Sequence, residues 1–96
     1  MEMISHVRAG SMESGDILIM LHPYKNGIKI ELESKVMKQY GTHIKTLIQS
    51  TLEYYGVRDI YVVAKDSGAL DYTIKSRIKT AIERSVKGSG LSEINA

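Results

Sequence analysis

Ile28-Lys29-Ile30-Glu31-Leu32-Glu33-Ser34 leads directly into Val36, Tyr40, Ile44, Leu47, Ile48, Leu52 and Tyr55, and the change of period at Ser34 decides the fold. In the first part every second residue is apolar and the rest are charged, as a half-buried strand requires. In the second, apolar residues recur at spacings of three and four, which places one apolar stripe on a helix. Ser34 suits the N-cap of that helix, and Gly56 suits the left-handed residue that would end it. A half-apolar strand followed by an amphipathic helix buries both apolar surfaces only when sheet and helix stack. A two-layer α+β sandwich is therefore expected.

Upstream, Asp16 to His22 is short and rich in Ile, and reads as a strand buried on both faces. Pro23-Tyr24-Lys25-Asn26-Gly27 then reads as a hairpin loop joining two antiparallel strands. Downstream, Val57 to Ala64 is dense in Val, Ile and Tyr and reads as a further strand. Asp66-Ser67-Gly68 is a turn. Leu70, Ile74, Ile78, Ala81, Ile82 and Val86 trace a second helical stripe, which Gly88-Ser89-Gly90 interrupts. The expected order is β-β-α-β-α, with an extra short strand near Ile4 to Arg8. That gives a three- or four-stranded sheet, antiparallel or mixed, under two amphipathic helices. A right-handed β-α-β crossover over Ile28 to Ala64 would make it mixed. Residues 1–87 are expected to form a single domain and residues 88–96 a flexible tail.

Composition narrows the function. In 96 residues with 43% apolar and 25% charged content and a net charge of +2, neither disorder nor a basic nucleic-acid tail is indicated. A chain of this length buries roughly 60–70% of its unfolded surface, enough for one core but not for a deep enzyme cleft. Cysteine is absent, which excludes disulfide scaffolds, thiolate metal sites and cysteine nucleophiles. The aliphatic run Ile17 to Leu21 is far short of the roughly 20 residues that span a bilayer. With no apolar leader around Glu2 and Arg8, a cytoplasmic protein is expected.

Few residues invite chemistry. His6, His22 and His43 stand at no ligand spacing, and their ordinary reading is exposed or hydrogen-bonded imidazoles without a metal. Gly10 to Gly15 lacks the Lys-Ser/Thr of a phosphate-binding loop and is flanked by carboxylates. Lys75, Arg77, Lys79, Arg84 and Lys87 surround the second helical stripe; they suit an acidic partner or an anionic cofactor, but they also suit an ordinary solvated helix. Tyr54 and Tyr55 read as the packed end of the first helix. Glu13-Ser14-Gly15-Asp16 is a turn, with one further property. Gly15 leaves an approach to the Ser14 hydroxyl unobstructed, and the carboxylates keep the loop in water, as an enzyme that modifies a serine requires.

Ala9-Gly10-Ser11-Met12-Glu13-Ser14-Gly15-Asp16, Lys38-Gln39-Tyr40-Gly41, Tyr54-Tyr55-Gly56-Val57-Arg58, Lys65-Asp66-Ser67-Gly68-Ala69-Leu70-Asp71 and Arg77 together resemble the acyl carrier (gamma) subunits of citrate lyase. The resemblance spans most of the chain; Ser11-Met12 stands where that family usually has Thr-Leu. It implies a non-catalytic carrier subunit. Ser14, flanked by Glu13, Gly15 and Asp16, would be joined through a phosphodiester to a phosphoribosyl-dephospho-coenzyme A group. The thiol of that group would carry acetyl and citryl thioesters between an acyl transferase (alpha) subunit and a lyase (beta) subunit, while citrate is cleaved to oxaloacetate and acetate. A dedicated transferase would attach it, and neither nucleic acid nor membrane is an expected partner. Two alternatives stay open: the related carrier subunit of malonate decarboxylase and, from another class, a small nucleic-acid-binding α+β module. Against the latter, Ile28 to Glu33 offers no aromatic pair for base stacking.

Overall fold

The computed structural model describes residues 6–86. Its elements run β1 (Val7–Gly10), β2 (Ile17–His22), β3 (Ile28–Ser34), α1 (Met37–Tyr54), β4 (Ile60–Asp66) and α2 (Asp71–Ser85). The four strands lie in the order β1-β2-β4-β3. β1 pairs with β2 and β2 with β4 antiparallel, whereas β3 and β4 run parallel. The sheet is thus mixed, and the α+β sandwich with two helices is the observed architecture. The extra strand exists, at Val7–Gly10; residues 1–5 and 87–96 lie outside the described residues, and with them the stretch 88–96 expected to form a tail.

A single core holds the layers together. Ile17, Ile19 and Leu21 of β2 meet Ile60, Val62 and Ala64 of β4, and Ile48, Leu52, Ile74 and Ile78 of the helices, all essentially inaccessible to solvent. Burying each of the larger of these side chains contributes roughly 1.5–3 kcal/mol. Both helices feed this one core, so β2 is buried on one face rather than two. Leu18, Met20 and His22 on its other face are only half-buried.

The loop at residues 23–27 is not a hairpin. β4 lies between β2 and β3, and the loop passes over its start, held by Ile60 N–H on the Gly27 carbonyl (3.0 Å) and Gly27 N–H on the Asp59 carboxylate (2.8 Å). Charge and burial explain the exchange. The solvent-facing Lys29, Glu31 and Glu33 of β3 suit a sheet edge, where charge discourages further pairing. β4, with Ile60, Val62 and Ala64 fully buried, takes the interior position.

Ser34 does not cap α1. It is the last residue of β3; its hydroxyl donates to Asp66 Oδ2 (2.7 Å) and accepts from the Val36 N–H (3.1 Å), so the helix begins only at Met37. Gly56 does end the helix. At φ +80° its N–H reaches the Glu53 carbonyl (2.9 Å) and the Val57 N–H reaches that of Leu52 (3.0 Å), a Schellman closure. Val57 is spent on that closure, so β4 starts at Ile60 and continues through Asp66. Leu70 sits at the extended residue before α2, outside the buried stripe, and is 61% exposed.

Candidate functional site

β1 and β2 are adjacent antiparallel strands, so the segment between them is a hairpin loop with Ser14 at its tip. Gly10 opens the loop at φ +89°; a Cβ there would collide with the Ile17 carbonyl oxygen and crowd the Arg77 side chain, so only glycine fits. The tip is a four-residue turn closed by the Asp16 N–H on the Glu13 carbonyl (3.0 Å). Gly15 occupies its third position at φ +84°, where glycine is favoured, and nothing surrounds the space a side chain would take.

This turn is pinned from beneath. Gly15 N–H donates to the Ser67 carbonyl (2.7 Å), Ser67 N–H donates to the Asp16 carbonyl (2.9 Å), and the Ser67 hydroxyl donates to the Met12 carbonyl (3.1 Å). Asp16 forms the second anchor. It accepts from Arg77 through Nε on Oδ1 (2.9 Å) and Nη2 on Oδ2 (3.1 Å), from the Ser11 hydroxyl (2.7 Å) and from the Ile17 N–H (2.7 Å). The Arg77 hydrogen bond, aided by those of Ser11 and Ile17, outweighs partial burial and holds the Asp16 carboxyl at about 2, against an ordinary 3.8.

The two flanking carboxylates therefore differ in role. Glu13 stands in solvent as expected, whereas Asp16 turns inward and fixes the loop. Ser14 is exposed, and among the described residues nothing accepts from or donates to its hydroxyl. The result is an accessible oxygen on a backbone with little freedom to move. Among the described residues no base is hydrogen-bonded to this hydroxyl, so a reaction at it would need a base supplied from outside the turn.

The remaining candidates are scattered. Arg77 is engaged by Asp16, and Arg84 donates to the Arg8 carbonyl (2.7 Å), so the basic face of α2 is partly structural; Lys87 lies outside the described residues. His43 Nε2 sits 2.9 Å from Asp71 at the surface, and the Nδ1 atoms of His6 and His22 face each other at 2.6 Å. Burial, then the neighbouring His6, lowers the pKa of His22. Among the described residues no three His, Asp or Glu side chains converge on a metal site. Tyr54 is not packed but 82% exposed, edge-on to Tyr55. The sequence reading missed Ser67 as an anchor; its only signal was its place in a turn.

A family profile described as malonate decarboxylase delta subunit (MdcD) matches residues 4–85. The chain is 52% identical to the citrate lyase acyl carrier protein of Halothermothrix orenii, over 93% of this chain and 95% of that one. It is 43% identical to the protein of the same name from Streptococcus uberis, over 99% and 91% respectively. Among solved structures, a chain of a Pseudomonas malonate decarboxylase hetero-tetramer in complex with malonate superposes with a TM-score of 0.72. That match covers 83% of this chain and 82% of the other at 18% identity, which establishes a shared fold.

Proposed function

The chain belongs to the citrate lyase acyl carrier protein family, and on that premise we propose that Ser14 is the residue through which it carries an acyl group, as a non-catalytic subunit of citrate lyase. The observation that carries this reading is the exposed Ser14 hydroxyl, without a hydrogen-bond partner among the described residues, on an otherwise pinned turn. The group attached would be phosphoribosyl-dephospho-coenzyme A, which supplies the thiol that a cysteine-free chain lacks.

The residues present fit such a group. In forming the phosphodiester, the Ser14 oxygen gains a bond to phosphorus and gives up its proton, while the leaving group departs from phosphorus; the transferase supplies the base and the activated donor. Gly15 leaves that approach open. Ser67 and Asp16 hold the turn in one shape, so the transferase meets a preorganised acceptor and loses little to ordering it. After attachment the same anchors fix the root of the arm, leaving its reach to the arm itself. A tether of this kind raises the effective concentration of its cargo at each active site it can span.

The partners proposed are the alpha acyl transferase subunit, the beta lyase subunit and the attaching transferase, in the cytoplasm. Citrate lyase is favoured over malonate decarboxylase because the relatives at 52% and 43% identity bear its name. The test is reconstitution. Ser14→Ala, mixed with the alpha and beta subunits and the transferase, should assemble as the unaltered chain does yet support no citrate cleavage. Undiminished cleavage would refute the assignment.

A further inference from the structure

A groove of about 520 Å³ opens between the start of α1 and the β4–α2 loop. Its apolar walls are Val36, Tyr40 and Ile44 on one side and Ala69 and Leu70 on the other. We propose that this groove shelters the uncharged pantetheine end of the arm borne on Ser14, with its thiol or acetyl thioester. The inference rests on the function proposed above.

Position is the first argument. Asp66 and Gly68 line the groove and flank Ser67, the residue that holds the Met12, Gly15 and Asp16 backbone. One loop thus forms the wall of the groove on one side and the support of the attachment turn on the other. Only Ser67 stands between the groove-lining Asp66 and Gly68 and the backbone of the turn that bears Ser14, so the arm is rooted beside the groove.

Chemistry is the second. Tyr40 and Leu70 are 53% and 61% exposed, and the fold leaves both uncovered at the same groove. The volume lies within the roughly 300–1,000 Å³ of small-molecule sites. Its polar residues select which part of the arm enters. Asp66 and Asp71 present two carboxylates against the single imidazole of His43, which is itself bonded to Asp71. Phosphates and a citryl group with free carboxylates are repelled, whereas methylenes, amides and an acetyl thioester are accepted. Asp66 already accepts from Ser34 and from the Ala69 N–H (2.9 Å), so its carboxylate is not stranded when an apolar occupant excludes water.

The experiment compares the full-length chain before and after loading by the transferase, with intact mass reporting the loading. Backbone amide shifts should move at Val36, Tyr40, Ile44 and Gly68 to Leu70 as well as around Ser14. The arm thiol should react with an aromatic disulfide reagent on the order of three- to tenfold faster in Leu70→Ser, which removes one apolar wall without adding charge. Leu70 is exposed and precedes α2 without a side-chain cap, so Ser there preserves or improves folding. Tyr40→Ser should act in the same direction. Shifts confined to the Ser14 turn, together with unchanged thiol reactivity in both variants, would overturn the proposal. So would variants that weaken subunit assembly while leaving thiol reactivity unchanged, since the groove would then be a protein docking face. A chain that gains no mass at Ser14 would overturn both this inference and the reading beneath it; a loaded chain without the groove effects would overturn the groove alone.

Discussion

At the scale of single residues, the turn that presents Ser14 depends on two positions that shape its backbone, Gly10 and Asp16. Gly10 has no substitute, because the backbone needs φ +89° and the Ile17 carbonyl occupies the place of a Cβ. Gly10→Ala should cost on the order of 2–4 kcal/mol, read as a lowered midpoint in urea unfolding. Asp16 sets the response to acid. Its carboxyl titrates at about 2 when folded and near 3.8 when unfolded, so its contribution is complete above about pH 5 and is lost progressively as pH falls to 2 and below. With Arg77 40% exposed on its side of the pair, that contribution is on the order of 1–2 kcal/mol after screening. Asp16→Asn should therefore be less stable than the unaltered chain at pH 7, with the gap narrowing between pH 4 and pH 2 in thermal melts. A gap that stays constant over that range would show that the Arg77 pair does not stabilise the turn. The motif reading drew attention to Asp16 as a solvated flank. Its true role was out of reach because Arg77 lies far along the chain, and only the fold brings the two together.

Among the elements, the change of period at Ser34 correctly separated strand from helix, and the stripe Ile44, Ile48 and Leu52 is the one that α1 buries. Ile48→Ala should cost about 2–5 kcal/mol, because the side chain is inaccessible and its neighbours can collapse only partly. Lys29→Ala, on the edge strand β3, should change stability by less than about 0.5 kcal/mol. A pair of denaturant curves decides between them; similar shifts would mean the core has been misplaced. The same periodicity could not foresee that β4 would enter between β2 and β3. Alternation reports which face of a strand is buried, and says nothing about which strand lies beside it. The mistaken hairpin at Pro23 to Gly27 came from this gap, since turn residues serve a short bridge over one strand as well as a two-strand reversal.

Taken whole, the molecule is a small sandwich that displays one hydroxyl from a hairpin tip and keeps its helices on one face of the sheet. No helix among the described residues is long and apolar enough to cross a membrane. The layered architecture was legible because two amphipathic helices and a set of short strands have few ways to share one core. The motif and the family resemblance singled out the Ser14 turn as the candidate site, whereas its rigidity was out of their reach, since Ser67 and Arg77 secure it from the β4–α2 loop and α2. On the proposed reading the labour is divided: the cysteine-free chain supplies position, and the attached group would supply the thiol. The central claim is that the Ser14 oxygen is the point of attachment. Tandem mass spectrometry of the chain purified with its transferase tests it most directly. The account predicts that the added mass resides on the peptide containing Ser14 and vanishes in Ser14→Ala; a group found on any other residue, or retained by that variant, would contradict it.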